Sequence, residues 1–342
     1  MTKIAKIYSG VFSILFFSIL LVQLFIPNFN LDSISEKFLW RMGLIKEFNA
    51  FRYAVGDTIF NGGLVGKDSW LFYTGDYSIH DYQKTELMGP SRLGYLVGML
   101  ESLDKQVTQN GGTVWVMIPP DKNTIYPQYM PHQIPVIGQT SRLDQLTDYL
   151  QKNTEINLLD LRPLFIDVSQ SSQIYYRFDA HWNCLGAYYG SNELLTQVSA
   201  LHPEVQTRPL TDYKLGSMTD STLDIARVMG LELQEETVTL TPKFPIGSIS
   251  YESYDDSAAI MAAANSQTDL PTALVIHDSF YTECLNQFLE PQFSQVIFSH
   301  YEKTKFSDYL KLIETEKPDV VIVEFAERHI EYFFRLMTTE TQ

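Results

Sequence analysis

The sequence predicts an α/β domain built on a parallel sheet with helices on both faces. Compact apolar runs of strand type recur at residues 113–118, 156–160, 272–276, 295–298 and 319–324. Segments of helical character, at 91–109, 140–152, from 184 to about 200 and at 306–315, alternate with them. Apolar strands alternating with helices mean strands hydrogen-bonded in parallel and buried on both sides. With 342 residues, the chain has room for one large domain of this kind plus small additions.

Residues 7–26 are twenty consecutive positions without a charge. That length spans a bilayer as a helix. Lys3 and Lys6 precede it, and Asp32 and Glu36 follow, so the expectation is a cytoplasmic N-terminus and a body outside the cell membrane. A cleaved signal peptide fits less well, because Gln23-Leu24-Phe25-Ile26-Pro27-Asn28 offers no small-x-small cleavage site. The predicted organisation is thus a membrane anchor at 1–27, a juxtamembrane helical region at 28–63, and the α/β domain at 64–342. In the second part Leu39, Trp40, Met42, Leu44, Ile45, Phe48 and Phe51 recur near helical spacing.

Gly66-Lys67-Asp68-Ser69 turns the chain into a short strand at Trp70-Leu71-Phe72-Tyr73. Asn110-Gly111-Gly112 ends the helix at 91–109, and Pro119-Pro120 stops the strand at 113–118. Residues 205–268 read as an irregular insertion. Within it, 224–231 suits a short helix ending in Gly230, Thr237-Val238-Thr239-Leu240 suits a strand, and 251–267 reads as a surface excursion. Regular order returns with the strand at 272–276, a helix from about Phe280, and a last strand at 319–324 with a helix behind it. The chain shows no internal repeat and no low-complexity segment.

A net charge of −16 argues against a nucleic-acid binder. The 13% aromatic share suits sugar stacking and core packing equally well. The two cysteines, Cys184 and Cys284, fix no geometry between them. Two buried free thiols are the simpler expectation, although an exported body permits a disulfide.

Chemistry concentrates in Tyr176-Arg177-Phe178-Asp179-Ala180-His181-Trp182-Asn183. On an extended segment Asp179 and His181 project to the same side. Carboxylate and imidazole are the orienting and acid/base parts of a nucleophilic site. Asn183 suits the N-cap of the helix that follows. About a hundred residues on, Ala273-Leu274-Val275-Ile276-His277-Asp278-Ser279-Phe280 places Ser279 after a buried strand and at a helix start, where ligand sites of open α/β sheets lie. Of seven histidines, His181 has a carboxylate two residues away at a helix start, whereas His277 sits on the strand and suits shaping the turn. Each fragment also has an ordinary reading. Ser279 is a good N-cap, and Asp179-x-His181 fits a turn with a satisfied histidine. Asp179, His181, His277 and Asp278 have metal-ligand chemistry, but without HExxH or a CxxC pair neither a metal nor a cofactor is expected.

Phe178-Asp179-Ala180-His181-Trp182-Asn183 with Gly186-Ala187 resembles the Asp-x-His-Trp motif of the alginate O-acetyltransferase AlgJ/AlgX-like group and the related DHHW proteins. Further stretches follow that group's order over roughly residues 64–330. They are Gly66 to Tyr73, Ile118-Pro119-Pro120-Asp121-Lys122 with Tyr126-Pro127, Leu223-Asp224-Ile225-Ala226-Arg227-Val228-Met229-Gly230-Leu231, His277-Asp278-Ser279-Phe280, and Pro318 to Glu324 with Glu327-Arg328. The resemblance implies an SGNH-like sheet and a rearranged site in which the Asp/His block precedes the serine. Ser279 would be nucleophile, His181 base and Asp179 orienting carboxylate. Two departures stand out: His277 replaces the glycine usual before Asp-Ser, and no asparagine block for an oxyanion hole is evident. Tyr301 and Arg328 are candidates for substrate or oxyanion contact, and Lys122 for an anionic sugar. The implied activity is acetyl transfer onto hydroxyls of a cell-surface or exported polysaccharide. The implied partner is a multi-spanning membrane acyltransferase supplying the acetyl group. An acetylesterase with the same triad and a non-catalytic polysaccharide-binding or assembly factor on the same fold are the rivals.

Overall fold

The structure, a computed structural model, describes residues 10–14, 16–18, 41–254 and 258–333. Of the expected anchor, residues 10–14 and 16–18 are helical, and the rest lies outside the described residues. Among the described residues no helix is long and apolar enough to cross a membrane. Leu39 and Trp40 also lie outside them. Helix α1 (Arg41–Ala54) covers the later part of the juxtamembrane region and leaves Ile45, Phe48 and Phe51 exposed. The chain divides into units of residues 1–52 and 53–342, and the second holds the sheet.

A small antiparallel sheet opens that unit: β1 (Ile59–Phe60), β2 (Gly63–Val65) and β3 (Leu71–Tyr73). Helix α2 (Ser78–Gln83) leads to α3 (Pro90–Gln109), which carries proline in its first turn, where no amide is needed. Strand β4 (Thr113–Ile118) follows, then the short α4 (Lys122–Ile125). Ser141 and Asp144 form a reciprocal capping box that starts α5 (Arg142–Asn153). Next come β5 (Asn157–Asp160), α6 (Arg162–Ser169) and α7 (Cys184–Ser199).

The span at 205–268 is more ordered than its sequence suggests. It forms a hairpin of β6 (Tyr213–Asp220) and β7 (Glu235–Pro242), with α8 (Asp224–Val228) between them. The expected surface excursion at 251–267 instead supplies much of β8 (Ile249–Ser253) and β9 (Met261–Asn265). These join the main sheet at its edge. Ala262, Ala263 and Ala264 are small, and their run lacks the bulky β-branched residues that mark a strand in sequence. The chain closes with β10 (Thr272–His277), α9 (Asn286–Leu289), β11 (Gln295–His300), α10 (Phe306–Glu316) and β12 (Val320–Glu324).

The main sheet runs β5-β4-β12-β10-β11-β9-β8. The first five strands are parallel, and β9 and β8 are antiparallel. Alternate side chains feed two cores. Val114, Val116, Ile118, Leu274 and Ile276 join α3, α5 and α10 on one face. Trp115, Met117, Ala273 and Val275 join α6, α7 and α9 on the other. Each fully buried Leu, Val or Ile contributes about 1.5–3 kcal/mol, so β10, buried on both sides in mid-sheet, is a rigid base for whatever its end carries.

Candidate active site

The carboxyl end of β10 delivers His277, Asp278 and Ser279 between β11 and β12. The sequence-expected helix from Phe280 is there a π-helical turn (Tyr281–Leu285) followed by the short α9. Cys284 sits in it with φ of 68°, in the left-handed region. The turn is pinned from several sides. Asp278 is fully buried and accepts from the Phe280 and Ala326 amides at 2.8 Å each and from His329 Nδ1 at 2.6 Å. Despite its burial, hydrogen bonds and charge from His329 hold Asp278 well below the ordinary carboxylate range. His277 donates from Nδ1 to the Asp278 carbonyl at 2.7 Å and packs on the Tyr281 ring at 4.5 Å. Burial pushes its imidazolium down to about 4. His277 thus shapes the turn, and neither it nor Asp278 joins Asp179 and His181.

The second part of the site is the loop at 176–181. Its backbone groups find partners on four elements, as buried peptide groups require, and Leu71 N of β3 donates to the Arg177 carbonyl at 2.8 Å. Lys122 Nζ donates to the carbonyls of Tyr176, Arg177 and Asp179 at 3.1, 3.1 and 2.6 Å. Glu235 of β7 accepts from the Arg177 and Phe178 amides. The start of α8 adds two more: Ala180 N donates to Asp224 Oδ1 at 2.7 Å, and Ala226 N to the Phe178 carbonyl at 3.1 Å. Asn183 then caps α7, accepting from the Leu185 and Gly186 amides. A side chain at Gly186 would strike the Ile174 carbonyl, so glycine is required for this close approach.

Loop and turn meet. Ser279 Oγ lies 2.7 Å from His181 Nε2, and His181 Nδ1 lies 2.7 Å from Asp179 Oδ1. Asp179 also accepts from the His181 amide at 2.9 Å and from the Asp224 amide at 2.5 Å. Asp179 and His181 are 9% and 8% exposed, whereas Ser279 is half-buried, so the hydroxyl is the part of the set that solvent reaches. Burial pulls the imidazolium pKa of His181 down. The hydrogen bond and charge of Asp179, with the charge of Asp224, raise it by more, leaving it above the ordinary 6.5. Asp179 is held well below the carboxylate range despite burial, chiefly by His181. A hydroxyl on an imidazole backed by a carboxylate can shed its proton while attacking an electrophilic carbon.

Two ties fix the meeting. Trp182 Nε1 donates to the Glu283 and Phe280 carbonyls at 2.8 and 3.2 Å, and its ring lies edge-on to Phe280 at 5.0 Å. Cys184 and Cys284 form a disulfide, which corrects the expectation of two free thiols. The helix starting after His181 and the turn after Ser279 point at one place, which brings the sulfurs together.

The three peripheral candidates have other jobs. Lys122 is 4% exposed, and its ammonium is directed at three carbonyls, so it does not meet an anionic sugar. Arg328, 5% exposed, pairs with Asp121 at 2.9 Å and stacks 5.1 Å from the Phe280 ring. It supports the serine turn through the Phe280 ring. Tyr301, 3% exposed, packs edge-on to His329 and Phe333, and burial raises its phenol far above the ordinary value. What sequence reasoning missed is Asp224, whose carboxylate Oδ2 lies 3.6 Å from His181 Nδ1. Its signal was an Asp opening a short helix within a motif already noted. Among the described residues Asp179, His181 and Asp224 are the one group able to gather around a cation, with ligand atoms within 4.8 Å of one another. Hydrogen bonds already occupy both Asp179 oxygens.

A mostly parallel sheet with a serine at the carboxyl end of its central strand, facing an Asp-x-His loop, defines an SGNH-hydrolase-like domain. The chain belongs to the family described as SGNH hydrolase-like domain, acetyltransferase AlgX, whose model matches residues 64–327. Solved structures share the fold at low identity. Bacillus cereus PatB1 with a sulfonyl adduct superposes with a TM-score of 0.57 at 14% identity, over 79% of this chain and 98% of that one. A DHHW family protein from Eubacterium siraeum gives 0.56 at 15%, over 80% and 93%. The O-acetyltransferase domain of Pseudomonas putida AlgJ gives 0.51 at 16%, over 81% and 99%. No curated protein sequence matches significantly.

Proposed function

We propose that this protein is an O-acetyltransferase acting outside the cytoplasmic membrane, which moves acetyl groups through Ser279 onto hydroxyls of a cell-surface or exported polysaccharide. The observation that carries the reading is the pair of 2.7 Å contacts linking Ser279, His181 and Asp179. Ser279 Oγ gives its proton to His181 Nε2 as it attacks the carbonyl carbon of an acyl donor. The Ser279 amide, in the first turn after β10, is the backbone donor nearest in sequence to the attacking hydroxyl and is proposed to hold the oxyanion. The donor's leaving group departs with the proton from His181. A sugar hydroxyl then loses its proton to His181 and attacks the acyl-serine, and Ser279 leaves with that proton.

Family membership supports acetyl as the group and transfer as the outcome. The disulfide supports an oxidising compartment. The charge-free stretch at 7–26 supports an anchor in the cell membrane, single-pass, with the N-terminus inside. An anchored transferase outside the cell needs activated acetyl, and a multi-spanning membrane acyltransferase is the partner whose chemistry supplies it.

The test uses the full chain with p-nitrophenyl acetate, with and without an oligosaccharide acceptor. Acetyl-oligosaccharide formed only by wild type, and lost in Ser279→Ala and His181→Ala, is the expected result. A loss of at least a thousandfold matches removal of a triad member. Hydrolysis unaffected by acceptor would make the protein an esterase, and full activity in either variant would remove that residue from the chemistry.

A further inference from the structure

Asp224 is placed by geometry, not by burial alone. Its Oδ1 accepts from the Ala180 amide at 2.7 Å and from the Ile225 amide at 2.5 Å. Its own amide donates to Asp179 Oδ2 at 2.5 Å. Its Oδ2 is left 3.6 Å from His181 Nδ1, the nitrogen that Asp179 already holds. One residue therefore grips the loop before His181, fixes the second oxygen of Asp179, and sets another carboxylate beside the imidazole. Its side chain is 28% exposed, so it stands at the rim of the site.

Resting on the acyl-serine reading above, we propose that Asp224 is a second positioning carboxylate, which locks Asp179 against His181 and backs it when Asp179 is lost. Other charged groups reach the same imidazole. Glu283, on the serine turn, adds negative charge, and Arg328 opposes it. Lys122 lies on the far side of the loop, interacting with both Asp179 and Asp224. Asp224 differs from Glu283 in facing Nδ1 at 3.6 Å and in bonding the loop itself.

The sign of its effect follows. Negative charge beside His181 favours the imidazolium, and only neutral imidazole accepts the Ser279 proton. Removing the Asp224 charge therefore lets His181 act at lower pH.

The experiment measures labelling of Ser279 by phenylmethanesulfonyl fluoride across pH in the full chain. Ser279 Oγ displaces fluoride from sulfur while its proton passes to His181 and then to water, so the rate reads the serine–histidine pair directly. Asp224→Asn keeps an oxygen for the Ala180 and Ile225 amides and removes the charge. Its acid limb is expected to move down by about one pH unit. Asp224→Ala removes the grip as well, and its plateau rate is expected to fall about tenfold. In an Asp179→Ala background, adding Asp224→Asn is expected to abolish the residual labelling. A profile for Asp224→Asn superimposing on wild type overturns the proposal, as does residual labelling unchanged in the double variant. Should Asp224→Ala not fold, the Asn profile decides, since both backbone contacts persist there. Failure of the wild type to label at Ser279 is a different result, which would sink the acyl-serine reading and this inference with it.

Discussion

At the scale of single residues, Lys122 shows how a charge can be structural. Its ammonium is buried among the carbonyls of Tyr176, Arg177 and Asp179, and burial pulls its pKa down to about 8. The desolvation cost and the three hydrogen bonds oppose one another, and the balance decides what removing the charge does. Met keeps the length and volume of the stem but takes the donor from the Tyr176 and Asp179 carbonyls, while the Arg177 carbonyl keeps the Leu71 amide at 2.8 Å. Each unsatisfied buried acceptor costs about 1–3 kcal/mol, partly offset by release of the buried charge, so Lys122→Met is expected to lose about 2–4 kcal/mol. Urea unfolding of the full chain reads this, and an unchanged midpoint would show that the loop does not depend on the ammonium. The sequence placed Lys122 near the site but not its direction. An isolated lysine after Pro119-Pro120 looks the same whether it points at solvent or at a loop more than fifty residues further on.

Among the elements, the join between α7 and the serine turn carries the site. Both stretches were readable in sequence. Asp179-x-His181 before Asn183, and Ser279 after a buried strand, mark a loop-to-helix and a strand-to-helix junction. What could not be read was their contact across about a hundred residues, because residue spacing carries no information on distance between separate elements. The same gap hid the disulfide and the distorted start of the helix after Ser279. Cys184 and Cys284 close a loop with a sequence separation of 100, and such a crosslink restrains the unfolded chain strongly. The double variant Cys184→Ser/Cys284→Ser is therefore expected to lose about 3 kcal/mol of stability. Trp182 holds the same join by two hydrogen bonds and its contact with Phe280. Sulfonyl labelling of Ser279 is thus expected to persist below the lowered melting temperature. Loss of labelling in a variant still folded by circular dichroism would mean that the disulfide, and not Trp182, sets the distance between Ser279 and His181.

Over the whole molecule, periodicity was most informative where burial is complete. Strands β4, β10 and β12 are apolar runs because both faces are covered, and helices α3, α5 and α10 lay apolar stripes on one of those faces, α5 with a capping box at its start. Strands β8, at the sheet edge, and β9, beside it, were illegible because β8 is largely exposed and β9 is mostly alanine, so neither carries an apolar β-branched run. The chain's direction relative to a membrane rests on charge alone. Lys3 and Lys6 lie before the charge-free stretch and Asp32 and Glu36 after it, and basic residues favour the cytoplasmic side. If that asymmetry governs, everything after the stretch is outside, including Leu87, which is 56% exposed. A cysteine placed there by Leu87→Cys should react with a membrane-impermeant maleimide in intact cells, while Cys184 and Cys284 stay protected as a disulfide. The protein should also remain in the membrane fraction after an alkaline carbonate wash, which strips peripheral proteins but not a spanning helix. Labelling only after the cells are permeabilised would put the site on the wrong side for an exported polysaccharide. The acyl-serine chemistry would then need a cytoplasmic acceptor and no transmembrane supply of acetyl groups.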